Sequence, residues 1–138
     1  MPLEEFWAGF RPRWKKPAGS AQSFEAHLTT DRPLSVVLSR INSAEGMGEI
    51  FGSEFVGKFV RGGQFSYLNA AGNSMAGAFS SINLPRSIEM ATEEYGLLSF
   101  SFVDLGEGCL ITIKASKITE DGDAWLTAVD ELAERISN

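Results

Sequence analysis

At 138 residues, with 43% apolar and 22% charged side chains, the chain suits one globular domain with a continuous core, and wholesale disorder is excluded. A net charge of −6, from 18 acids against 12 bases, argues against general attraction to phosphate backbones, so no nucleic-acid partner is expected. One cysteine, Cys109, and one histidine, His27, exclude an internal disulfide and the usual Cys/His zinc spacings.

The first segment, residues 1–19, is chemically unlike the rest. Arg11, Arg13, Lys15 and Lys16 against Glu4 and Glu5 give it a net charge of +2 and leave −8 for the remainder. Leu3, Phe6, Trp7, Phe10 and Trp14 stand three and four apart and would line one side of a short helix, against the influence of Gly9 and Pro12. Aromatics interleaved with bases suit an acidic partner, a membrane surface or a nucleic-acid strand. A segment packed across its own domain, or across the mate in a homodimer, is the simpler reading. No uninterrupted apolar stretch marks a transmembrane segment or secretory signal, so cytoplasmic residence is expected.

"KKPAGSAQ" reads as a linker, which places a domain at residues 20–138. "SFEAHLTT" alternates Phe24, Ala26 and Leu28 with Glu25, His27 and Thr29, the pattern of a strand with one buried face. Asp31 can cap a following helix with Pro33 in its first turn, running to about Ala44 on Leu34, Val37, Leu38 and Ile41. The three glycines of "EGMGEIFGS" predict a break into a turn, with room for a second short helical piece.

Six alternating runs follow between residues 54 and 115: "EFVGKFV", "QFSYL", "SMAGAFSSI", "RSIEMAT", "GLLSFSFVD" and "CLITIKAS". Turn signals at Gly62-Gly63, Ala71-Gly72-Asn73, Leu84-Pro85, Glu94-Tyr95-Gly96 and Gly106-Glu107-Gly108 separate them, which reads as an antiparallel meander. The last element, "DAWLTAVDELAERI", carries Trp125, Ala128, Val129, Leu132 and Ile136 on one helical face, with Asp121 or Asp123 able to cap its start. A sheet with one apolar side needs such a cover. The fold class is α+β: a curved antiparallel sheet of about seven strands around a long C-terminal helix, with a short helix or helix pair between strands one and two.

That order resembles the START-like helix-grip (SRPBCC) superfamily, in the branch similar to the C-terminal domain of activators of the heat-shock-protein-90 ATPase. "FVRGGQFSYL" is similar to an Arg-Gly-Gly hairpin with an aromatic opening its second strand, "GAFSSINLPRSIEMAT" to a strand, Pro-Arg turn, strand unit, and "GDAWLTAVDELAERI" to the closing Gly-x-x-Trp helix. The likeness covers roughly residues 22–137. It departs from the pattern after the first helix, where "EGMGEIFG" offers Met47, Ile50 and Phe51 in place of a tryptophan-rich motif. The resemblance implies an apolar cavity between sheet and helix, with three functions in view: binding of a hydrophobic small molecule or lipid, a protein-interaction module that meets a chaperone, or a polyketide cyclase or hydratase.

Alternation points Phe65, Tyr67, Met75, Phe79, Met90, Phe100 and Phe102 towards the helix face bearing Trp125 and Val129, and these nine residues are the candidate cavity lining. The same residue types also fill an ordinary core. Tyr67, Tyr95 and hydroxyls such as Thr112 can orient a ligand. His27, on the polar side of its strand, and Cys109, with no histidine to pair with, read as structural, and no acid–base constellation stands out. The acids near turns, Glu93, Glu94, Glu107, Glu120, Asp121 and Asp123, read as solvated surface. No catalytic residue, metal ligand or cofactor is assigned.

Overall fold

Strict alternation of apolar and polar side chains builds the sheet. The computed structural model describes residues 19–137, and the apolar stripe read at residues 3–14 lies outside them. The elements are β1 (Ser20–Thr30), α1 (Leu34–Ile41), α2 (Ala44–Phe51), β2 (Ser53–Gly57), β3 (Gln64–Leu68), β4 (Ser74–Asn83), β5 (Ser87–Thr92), β6 (Gly96–Asp104), β7 (Cys109–Thr119) and α3 (Gly122–Ser137). The seven strands form one antiparallel sheet in the order β1-β7-β6-β5-β4-β3-β2. Register shifts between Ser53 and Val56 and between Phe79 and Ser81 are irregularities of the kind that bend a sheet.

The inward set, with Phe65, Tyr67, Phe79, Ile88, Met90, Leu98, Phe100, Ile111 and Ile113, is buried. Its alternates Ser66, Glu89 and Lys114 are exposed. α3 crosses this face with Trp125, Val129, Leu132, Ala133 and Ile136 buried. Asp121 starts the helix: its Oδ1 accepts from Ala124 N at 3.1 Å and its carbonyl from Trp125 N at 3.1 Å. Each large apolar side chain withdrawn from water contributes about 1.5–3 kcal/mol, so the helix and sheet hold one another through this contact.

Between β1 and β3 the structure corrects several local expectations. Asp31 does not cap α1; Pro33 is the N-cap, without a side-chain hydrogen bond, because a proline keeps the residue before it out of the helical region. α1 ends at Ile41 and not near Ala44, since Ser43 starts α2 by accepting from Gly46 N at 3.0 Å. The glycine-rich stretch holds the second short helix for which its sequence left room. A Cβ on Gly46 would lie 2.0 Å from the Arg40 carbonyl oxygen, so close approach of α1 and α2 requires glycine there. β2 stops at Gly57, and residues 58–63 form a loop. Gly62 has φ +80°, as a tight hairpin needs, but Gly63 does not share it; a Cβ there would meet the Lys58 carbonyl oxygen at 2.2 Å. Gly62 N donates to Phe79 O and Phe79 N to Gly63 O, which ties this loop to the middle of β4.

Candidate functional site

The core on the inner face of the sheet contains a connected set of aromatic rings. Phe59, half-buried in the 58–63 loop, stands 5.4 Å from Phe79 between ring centroids. Phe79 is 4.9 Å from Phe65, and Phe65 stacks on Phe55 at 4.9 Å. Phe51, at the end of α2, then meets Tyr67 at 4.9 Å and Tyr95 at 5.8 Å. Two methionines border the set, because the ladder pairs Met90 with Phe79 and Met75 with Tyr67. Unbranched thioethers adapt to neighbours that change shape.

The far end of this set is polar. Tyr67 Oη donates to Glu94 Oε1 at 2.7 Å, and Arg135 Nη2 donates to Tyr95 Oη at 3.3 Å. Burial, reinforced by the Glu94 carboxylate, pushes both phenols well above their ordinary range. They are neutral donors at physiological pH. Arg135 Nε also donates to Ile50 O at 2.6 Å, at the C-terminal end of α2, and Arg40 reaches the Arg135 and Ile136 carbonyls near the end of α3. Each guanidinium thus meets carbonyls at the negative end of a neighbouring helix.

The turn between β5 and β6 places Tyr95 there. Thr92 Oγ1 accepts from Tyr95 N at 2.9 Å and donates to Gly96 O at 3.1 Å, closing a tight turn. Trp125 Nε1 donates to Tyr95 O at 3.2 Å, and Lys117 Nζ donates to the Glu93 and Glu94 carbonyls. Both side chains hold the backbone of this turn.

Of the nine candidate lining residues, Phe65, Tyr67, Phe79, Met90, Phe100, Phe102, Trp125 and Val129 are buried in one cluster with α3, and Met75 is half-buried beside it. Residue typing alone left out Phe51 and Phe55, which supply two rings of the set. The signal for Phe55 was its alternation with exposed Val56; Phe51 was masked by the glycines around it. Met47, Ile50 and Phe51, which stand where the resembling proteins carry a tryptophan-rich motif, are all buried and wall this end. Thr112 is corrected: it lies on the opposite face, where its Oγ1 is 3.0 Å from His27 Nδ1. Glu94 is corrected too, being half-buried against Tyr67 and not free surface.

His27 is exposed, with Nε2 3.1 Å from Glu25 Oε2, and the Glu25 carboxyl is held below its usual range by His27 and Lys114. Cys109 is fully buried, which pushes its thiol up, with Asp104 adding to the effect. Among the described residues no group of His, Cys, Asp and Glu is placed to hold a metal ion, and no helix is long and apolar enough to cross a membrane.

No family model matches the sequence, and no curated protein matches it. Solved structures do. CalU16 from Micromonospora echinospora is 24% identical with a TM-score of 0.62, over 88% of this chain and 80% of that one. An AHSA1-like protein from Aeromonas hydrophila is 11% identical with a TM-score of 0.66, over 83% and 90% of the two chains. The Aha1 dimer from Colwellia psychrerythraea is 10% identical with a TM-score of 0.69, over 84% and 93%. At these identities the likeness is one of fold. The chain has the START-like helix-grip fold, with Aha1-like proteins among its structural neighbours.

Proposed function

We propose that the protein binds an apolar small molecule between the concave face of the sheet and α3, with one polar group of the ligand directed to the Tyr67–Glu94–Tyr95–Arg135 cluster. The observation that carries this reading is the graded set of rings, which starts at half-buried Phe59 and ends at a part-buried polar cluster. An apolar path with a polar terminus suits a ligand of the same construction, because the polar end would lose its hydration without replacement anywhere else along the path. Entry requires Phe59, Met75 and Met90 to move aside, and loop and thioether side chains are the ones that can. The neutral phenols orient a ligand by hydrogen bonding and are poorly suited to attack it, so binding is favoured over the cyclase and hydratase reading.

Methyl-resolved NMR with dodecanoate and 2-naphthol as separate probes tests this. Uptake in the proposed site shifts the methyls of Ile111, Ile113, Val129 and Leu132, all of which belong to the core cluster packed with α3. Shifts confined to Val56, Leu97 and Ile118 on the opposite face, or no shift with either probe, would overturn the reading.

A further inference from the structure

The outer face of the sheet, turned away from α3, carries an apolar hollow of about 1590 Å³. Its floor is short-chained for a simple reason: the ladder sets Leu97 beside Ala91, Ala91 beside Ala78, and Ser66 beside Ala76, so alanines occupy the middle strands. Taller side chains wall it. Val56, Val60, Leu97 and Ile118 all line the hollow, and they are four of the seven large apolar residues exposed on the described surface. Concentration of that kind marks a surface that is covered in use. Its rim carries three bases, Lys58, Arg61 and Lys117, and one acid, Glu93, so charge offers no attraction to the basic residues 1–18 and a match there rests on apolar contact.

The chain itself supplies a match. Ala21 lines the hollow and pairs with Ile118, so the chain enters β1 at the edge of this surface. Immediately before it stand residues 1–18, in which Leu3, Phe6, Trp7, Phe10 and Trp14 recur at spacings of three and four. The lengths agree. From β1 to β3 the sheet spans five strand spacings, about 24 Å. Residues 3–14 would span about 18 Å as a helix, and four further residues would reach about 13 Å more.

We propose that residues 1–18 lie across this outer hollow of their own domain and cover Val56, Leu97 and Ile118 with their aromatic stripe. The arm would then close the face that the C-terminal helix leaves open, on a site separate from the space under α3.

Acrylamide quenching of tryptophan fluorescence in the full chain reads this directly. Trp125 is buried in the core, so Trp7 and Trp14 dominate the quenchable signal. The arm docked in cis predicts weak quenching in the wild-type monomer and a several-fold rise in Leu97→Asp and Ile118→Asp, two positions exposed enough to accept the charge without unfolding the domain. Phe6→Ser with Phe10→Ser, made outside the described domain, predicts the same rise with an unchanged circular dichroism spectrum, and it decides the matter if the sheet variants fail to fold. Equal quenching in wild type and in the arm variant would overturn the proposal. So would protection that disappears on dilution together with a dimer mass from light scattering, since the occupant would then belong to a second copy.

Discussion

Raising the pH tests the buried polar cluster. The chain has two tyrosines, Tyr67 and Tyr95, and both are essentially inaccessible to solvent. Burial first, and the Glu94 carboxylate second, push both phenols upward. In the unfolded chain a phenol loses its proton from about pH 10, whereas in the folded protein these two keep theirs. The folded state therefore holds more protons above that pH, and each further unit favours unfolding. The stability contributed by the neutral phenols is complete below about pH 10 and declines above it, by about 1.4 kcal/mol per unit for each group. Two groups give a slope of about 2.7 kcal/mol per unit, so about 5 kcal/mol is lost by pH 12, comparable with the lower end of the 5–15 kcal/mol typical of a domain. Tyrosinate absorbance followed alongside far-ultraviolet circular dichroism reads this, and both signals are expected to change in one coincident, cooperative transition well above pH 10. Tyr67→Phe should reduce the slope of denaturant-derived stability against pH to about half. Tyrosinate forming gradually near pH 10 while the dichroism remains native would refute the argument that these hydroxyls are sealed.

Gly46→Ala should destabilise in spite of the roughly 1 kcal/mol by which alanine exceeds glycine in helix propensity, because its Cβ would fall 2.0 Å from the Arg40 carbonyl oxygen and force α1 from α2; urea denaturation measures the sign. Phe79→Ala removes a fully buried ring from the middle of the aromatic set and should cost about 3–5 kcal/mol, while indole added to the variant should recover part of the lost melting temperature by occupying the space. Arg135→Met leaves the Ile50 carbonyl without its 2.6 Å donor and should cost about 1.5–3 kcal/mol, read as a lower denaturation midpoint at unchanged slope.

Period-two and period-3.6 patterning determined most of the architecture before any coordinates. Phe100 and Phe102 against Ser99 and Ser101, and Trp125, Val129, Leu132 and Ile136 along one helical face, each admit one way of turning inward, because a slip of one residue would expose the whole apolar set. What alternation cannot carry is the effect of a neighbour distant in sequence. Gly46 and Gly48 read as breakers because local propensity disfavours glycine in helices, and only the contact with Arg40 shows why the helix needs glycine at position 46. Glu94 read as solvated surface at a turn, yet hydrogen bonds from Trp125 and Lys117, thirty and more than twenty residues away, fold that turn onto the core. Thr112 differs from its strand neighbours Ile111 and Ile113 by which face it takes, and its ladder partner His27 shows that face to be the outer one. The sequence by itself thus determined the strands, the closing helix and the side chains that face it. Tertiary structure alone decided how those side chains meet in an aromatic path with a polar end, since ring contacts and buried hydrogen bonds are set by three-dimensional packing that no local period encodes.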